Sequence, residues 1–188
     1  MCGPADCTDT EAARAERIGR RLAAAGAVVV CGGGGGVMGA AARGAREAGG
    51  VVVGVGPGAD RRDASPDLTV SLATNLGQAR NAVIVWSADA VVAVGGSWGT
   101  LSEIALARRR GVPVVRLGGW QLRDAAGEPL GGFLDAVTAD EAVSLALRAA
   151  ATFASSPAEP AGPAEPEEPA EPAQPEEPAA RDGDLSAG

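Results

Sequence analysis

The 188-residue sequence contains no histidine, no lysine and no tyrosine, and all sixteen of its basic residues are arginine. Without lysine, the chain supplies neither the phosphate-binding lysine of a Walker-type P-loop nor the Schiff-base amine of a pyridoxal phosphate enzyme. Without histidine, the G-x-S-x-G pattern at residues 95–99 has no base to take the serine proton, so a Ser-His-Asp triad is excluded. These absences remove three common classes of enzyme chemistry.

Cysteine is also scarce. The chain has three, Cys2, Cys7 and Cys31, with no C-x-x-C pair and no histidine, so the sequence offers no recognisable metal site. It shows no signal peptide ahead of Thr8 and no apolar run long enough to cross a bilayer. We therefore expect a cytoplasmic protein that holds no metal and has no membrane partner.

The net negative charge is concentrated at the carboxyl end of the chain. Residues 154–188 contain eight prolines, nine acidic residues and one arginine, whereas residues 1–153 contain fifteen acidic residues and fifteen arginines. A segment this polar and proline-rich buries too little apolar surface to offset its ordering entropy. The sequence thus predicts one compact domain over 1–153 and a disordered acidic tail over 154–188. The balanced charge of the domain argues against a nucleic-acid partner.

Apolar runs alternate with helix-favouring segments along the domain. The pattern predicts helices at residues 9–25, 37–48, 76–87, 100–110 and 139–153, and strands at 27–31, 51–55, 68–72, 90–94 and 113–117. The strand runs are continuously apolar, as in a parallel sheet that helices cover on both faces. We therefore expect an α/β fold, a Rossmann-like αβα sandwich.

The start of the predicted sheet is unusual. Only eight residues precede the first predicted helix, and Gly3-Pro4-Ala5 among them resembles the turn that follows a strand. In a doubly wound sheet that strand lies in the middle, with a neighbour on each side. The sequence therefore predicts a truncated first strand, with either an open edge in the middle of the sheet or another segment that fills the gap.

A five-glycine turn at residues 32–36 separates the first predicted strand from the next helix. Glycine lets a ligand approach the backbone closely, and a helix N-terminus favours an anion such as phosphate. The alternative is a glycine-rich connection with only a structural role. The G-x-G-x-x-G match at 34–39 lacks its ribose-binding acid, because Asp60 lies beyond the turn at 56–58, and this disfavours NAD. The predicted phosphate-binding residues here are Gly33, Gly34, Gly35, Gly36 and Met38.

A second glycine turn joins the predicted strand at 90–94 to the helix at 100–110. Hydroxyl groups and the Glu103 carboxylate fall in the first turn of that helix, where they can hold a phosphate and face a sugar. The alternative is that they only cap the helix and complement its dipole. The predicted ligand-binding residues here are Gly95, Gly96, Ser97, Trp98, Gly99, Thr100 and Ser102.

The stretch at 96–103, Gly-Ser-Trp-Gly-Thr-Leu-Ser-Glu, resembles the P-G-G-x-G-T-x-x-E signature of the Lonely Guy superfamily, once mislabelled lysine decarboxylases. The five-glycine turn is similar to the superfamily's first glycine loop, and Arg80 falls where its arginine lies. The resemblance implies a Rossmann-like fold that forms a homodimer or higher homo-oligomer. Gly95, which replaces the proline, and the Gln-Ala-Arg-Asn form of the arginine motif look closer to a sister branch that includes the molybdenum cofactor carrier proteins.

Two functions follow from this resemblance. In the first, the protein is a phosphoribohydrolase of nucleoside 5′-monophosphates: Glu103 stabilises the oxocarbenium-like ribose and Arg80 holds the phosphate as a second catalytic residue. In the second, the same pocket carries a pterin or nucleotide phosphate without turnover, and Trp98 or Trp120 stacks on its ring. Both functions imply a small phosphorylated ligand, a bound nucleotide or phosphate, and no required cofactor.

Overall fold

The computed structural model describes residues 1–155, and all but the first two residues of the predicted tail lie outside that range. Helices and strands alternate along it, which confirms the predicted α/β class. The helices are α1 (Asp9–Ala24), α2 (Gly36–Glu47), α3 (Arg80–Trp86), α4 (Trp98–Arg110) and α5 (Ala139–Ser155). The strands are β1 (Val29–Cys31), β2 (Val52–Gly56), β3 (Val70–Ala73), β4 (Val91–Val94), β5 (Val114–Leu117) and β6 (Leu134–Asp135).

Several elements differ from the sequence prediction. The helix expected at 76–87 begins as a 3-10 turn over Gly77–Ala79 and becomes α3 only at Arg80, because Gly77 takes a left-handed φ of 53°. Helix α5 continues two residues past the predicted end at 153. Strand β6 has two residues, too few to show a sequence pattern.

The strands form two parallel three-stranded sheets, in the orders β1-β2-β3 and β4-β5-β6. All four residues of β4 are buried, as expected for a strand with helices on both faces. Val92 and Val94 face a core cluster that includes α1, α2 and α5, whereas Val91 and Ala93 face a cluster that includes α4 and the end of α3. The layers are therefore helix, sheet, helix.

Met1 and Cys2 connect the two sheets. The Met1 ammonium donates to the Val30 carbonyl oxygen of β1 at 2.8 Å. The Cys2 N–H donates to the Val92 carbonyl of β4 at 3.0 Å, and the Cys2 carbonyl accepts from the Val94 N–H at 3.0 Å. Met1 and Cys2 thus occupy one end of the gap between β1 and β4, where the sequence predicts the first strand.

Helices α1 and α2 cross at very short range. A Cβ atom on Gly19 would overlap the Ala41 carbonyl oxygen, and one on Gly44 would overlap the Glu16 carbonyl oxygen. The crossing therefore requires glycine at both positions. The start of α1 is fixed by a capping box in which the Thr8 hydroxyl accepts from the Glu11 N–H and the Glu11 carboxylate accepts from the Thr8 N–H. No helix among residues 1–155 is both long enough and apolar enough to cross a bilayer.

Candidate ligand site

A cavity of about 670 Å³ lies at the carboxyl ends of β1 and β2. Open α/β sheets bind their ligands at this end of the strands. Two glycine turns, one after each strand, form most of its wall. Its lining comprises Gly32, Gly33, Gly34, Met38, Gly56, Pro57, Gly58, Ala59, Asp60, Arg61, Arg62, Asp63, Ala64, Ser71 and Arg80.

Two glycines of the first turn, Gly32 and Gly36, lie close against neighbouring parts of the protein. A Cβ atom on Gly32 would lie against the Arg80 guanidinium and the Met38 sulfur. Gly36 has a φ of 57°, and a Cβ there would overlap the carbonyl oxygens of Pro4 and Ala5. The turn therefore needs glycine for contacts within the protein as well as for an open ligand wall.

The structure separates the five residues predicted from this turn. Gly33, Gly34 and Met38 line the cavity, whereas Gly35 is the N-cap of α2 and Gly36 packs on the segment ahead of α1. The first N–H group of α2 beyond this turn already has a hydrogen-bond partner within the protein, because the Val37 N–H donates to the Pro4 carbonyl oxygen at 3.1 Å.

Arg80 is the basic residue held most firmly against the cavity. It begins α3, and 12% of its side chain is exposed. Its Nε atom is buried with no hydrogen-bond partner among the described residues, and its Nη1 lies 3.9 Å from the Glu103 Oε1. That distance exceeds a direct hydrogen bond, so most donors of the guanidinium remain available to an anion in the cavity.

Glu103 lies behind Arg80 and does not line the large cavity. It is 6% exposed, in the second turn of α4, and it lines a second cavity together with Met1 and Cys2. Burial raises the pKa of its carboxyl from 4.5 to about 7, against the opposing effects of the Met1 ammonium, the Arg80 guanidinium and a hydrogen bond from the Cys2 thiol. The structure thus pairs the two predicted catalytic residues, but only Arg80 reaches the cavity.

The turn after β2 supplies site residues that the sequence analysis did not select. Arg61 and Arg62 line the cavity opposite the first glycine turn. Arg62 is exposed and forms an ion pair with Asp60 at 2.6 Å. The available signal was the second glycine turn at 56–58, directly after a predicted strand, with two arginines just beyond it.

The glycine turn after β4 lies away from this cavity. Gly95, Gly96, Ser97 and Thr100 surround a void of only about 10 Å³. Gly95 packs against Glu11, and Gly96 packs against the Trp120 ring. Ser97 caps α4: its Oγ accepts from the Thr100 N–H at 3.2 Å and lies 2.9 Å from the Thr100 hydroxyl.

The remaining predicted residues of that turn have other surroundings. Trp98 is 79% exposed and meets Trp120 edge to face, with ring centroids 5.0 Å apart. A Cβ atom on Gly99 would lie 3.8 Å from the nearest atom, the Ser97 Oγ, which is an ordinary contact. The Ser102 Oγ accepts a hydrogen bond from the Asn81 amide at 3.4 Å. The two glycine motifs therefore do not enclose one pocket, and only the first of them lines the large cavity.

Comparison with known proteins identifies a family and a relative for this chain. Residues 1–144 match the model of the SLOG cluster4 family. An uncharacterised protein of Archaeoglobus fulgidus is 42% identical over 118 residues, which cover 62% of this chain and 77% of the relative.

Two solved structures give the comparison in three dimensions. The molybdenum cofactor binding protein of Rippkaea orientalis is similar with a TM-score of 0.68 and 31% identity, over 76% of this chain and 90% of that one. The molybdenum cofactor carrier protein of Chlamydomonas reinhardtii is similar with a TM-score of 0.69 and 32% identity, over 80% of this chain and 95% of that one.

Proposed function

The chain belongs to the SLOG cluster4 family, and from this membership and the geometry of the cavity we propose that it carries a small anionic ligand without turning it over. The ligand class is a phosphorylated pterin such as the molybdenum cofactor, after which the two similar proteins of known structure are named. The observation that carries the proposal is the nearly buried Arg80 guanidinium beside Gly32, at the wall of the 670 Å³ cavity.

The chemistry of the wall suits such a ligand. The Arg80 guanidinium offers planar, paired donors that match phosphate oxygens. Arg61 and Arg62 also line the cavity, where Arg62 is paired with Asp60, and the volume exceeds what a phosphate alone needs. The glycine turn lets the ligand approach the backbone, and Met38 gives an apolar, polarizable surface for a ring.

The position of Glu103 favours carriage over hydrolysis. Cleavage of an N-glycosidic bond needs a carboxylate that faces the developing oxocarbenium ion. Glu103 is buried behind Arg80 with a raised pKa, and the carboxylates that line the cavity, Asp60 and Asp63, lie on an exposed turn. The phosphoribohydrolase is the second candidate, supported by the Glu103–Arg80 pair itself.

The test compares binding and turnover on the full chain. Molybdenum cofactor released anaerobically from a donor enzyme is mixed with the protein, and co-eluting molybdenum and transfer to a cofactor-free acceptor enzyme are measured. We expect retention that Arg80→Ala weakens at least tenfold, whereas Arg46→Ala, an exposed arginine outside the cavity lining, leaves it unchanged. A parallel incubation with AMP should release no free base. Base release that Glu103→Gln abolishes would overturn carriage in favour of hydrolysis.

A further inference from the structure

Among the described residues, Glu103 is the carboxylate that lies closest to Arg80, with its Oε1 3.9 Å from the Arg80 Nη1. Both side chains are nearly buried, with exposed fractions of 12% for Arg80 and 8% for Glu103. Because water is largely excluded from the pair, each charge acts on the other with little screening. Arg80 lines the ligand cavity and Glu103 does not. The electrostatic potential that an anion meets at Arg80 therefore depends on whether Glu103 is ionised.

The charged and titratable groups that act on Glu103 come from the amino-terminal segment, β1 and α3. They are the Met1 ammonium, the thiols of Cys2 and Cys31, and the Arg80 guanidinium. Burial raises the pKa of both thiols, so neither is charged near neutral pH. Burial also raises the pKa of Glu103 to about 7, although the two cations oppose the change. The chain has no histidine that could titrate in the same range.

An anion bound at Arg80 acts on Glu103 in one direction. Its negative charge offsets the guanidinium that stabilises the Glu103 carboxylate, so it favours the protonated form of Glu103. Linkage makes the effect reciprocal, and protonation of Glu103 strengthens anion binding by the same factor. The anion and the proton therefore bind together, and loss of the proton weakens the hold on the anion.

We propose that Glu103 controls the ligand cavity through Arg80, so that the protein takes up a proton as it captures an anion and loses that proton on release. Glu103 is thus a positioning residue, because it acts on the ligand through the guanidinium. The inference rests on the anion site of the proposed function and adds the condition under which that site empties. The protein holds its ligand more firmly below about pH 7 than above it.

The test measures sulfate binding to the full chain by isothermal titration calorimetry, because sulfate remains a dianion throughout the range used. We expect the affinity to fall about tenfold from about pH 5.5 to about pH 8.5. At about pH 7.5, titrations in two buffers of different ionisation enthalpy should show uptake of about half a proton for each sulfate bound. Glu103→Gln should keep the low-pH affinity at every pH and take up no proton.

Asp63→Asn is the matched control, because Asp63 also lines the cavity but lies on the exposed turn after β2. This variant should keep the pH dependence and the proton uptake of the wild type. Equal sulfate affinity across the range, without proton uptake but still lost in Arg80→Ala, would overturn the coupling and leave the anion site intact. Wild-type pH dependence in Glu103→Gln would also overturn the coupling. Sulfate that binds at no pH would overturn the anion site and the coupling together.

Discussion

The Arg80 Nη1 lies 3.9 Å from the Glu103 Oε1, and the two side chains of this buried pair line different cavities. Arg80 lines the ligand cavity, whereas Glu103 lines the second cavity beside the Met1 ammonium. We therefore expect a change in the charge of Glu103 to alter how strongly Arg80 attracts an anion. The pair is the structural link between the two spaces.

Loss of the Arg80 guanidinium should weaken anion binding, and loss of the positive charge as well should weaken it further. Arg80→Lys keeps a positive charge but loses the planar pair of donors, so we expect an intermediate loss between wild type and Arg80→Ala. Calorimetric titration with inorganic phosphate and with AMP measures this order. If Arg80→Lys and Arg80→Ala bind both probes as the wild type does, Arg80 is not the anion-binding residue.

A methyl group on Gly32 should act on the ligand through Arg80. The added Cβ would lie against the guanidinium and the Met38 sulfur, and both are ends of flexible side chains that can move. We therefore expect Gly32→Ala to lower anion affinity by roughly tenfold with little change in stability.

Gly34→Ala is the matched control, because its Cβ would make a contact of 3.4 Å with the Met38 methyl group. It should bind more nearly like wild type. An affinity loss that is the same for both variants would show that bulk on the turn, and not displacement of Arg80, is responsible.

The raised pKa of Glu103 makes a prediction about stability. Its folded-state pKa of about 7 lies above the ordinary 4.5, so the folded protein binds the extra proton between these values. The stabilisation is complete below about pH 4.5 and is lost as pH rises to about 7. We expect Glu103→Gln to be more stable than wild type at pH 8, on the order of 3 kcal/mol, and similar at pH 4.5.

Denaturant unfolding of both proteins at the two pH values measures this difference. Other carboxylates titrate in both proteins and cancel in the comparison. A Glu103→Gln variant that loses stability at pH 8 would show that the carboxylate is ionised and stabilised there by Arg80 and Met1.

The fold could be predicted because its signals are local and repeated. Continuous valine runs that end in glycine turns predict parallel strands, and β1, β2, β4 and β5 lie within a residue or two of the predicted ranges. The Lonely Guy resemblance, drawn from those turns, is confirmed at the level of the superfamily by the family match. Residue patterns of this kind therefore predict the course of the backbone.

The site was harder to predict because it depends on which turns meet in space. The turns at 32–36 and 95–99 look alike in sequence, but β1 pairs with β2, so the cavity is closed by the turn at 56–64. Trp120 and Glu11 instead cover the turn at 95–99. The predicted homo-oligomer and cytoplasmic location stay predictions.

The closest helix contact in the domain gives the sharpest prediction about stability. A Cβ atom on Gly44 would overlap the Glu16 carbonyl oxygen, which belongs to the backbone of α1 and has little room to move. Gly44→Ala must therefore push α1 and α2 apart and open the core beneath them. We expect the thermal unfolding midpoint, followed by circular dichroism, to fall by about ten degrees.

Gly99→Ala is the matched control for that substitution. Gly99 also lies in a helix, but the nearest atom to its added Cβ is the Ser97 Oγ at 3.8 Å, which is an ordinary contact. Alanine is a better helix former than glycine by about 1 kcal/mol, so the midpoint should stay the same or rise. If Gly44→Ala changed the unfolding midpoint no more than Gly99→Ala does, α1 and α2 would lie farther apart in solution than the contact between Gly44 and the Glu16 carbonyl implies.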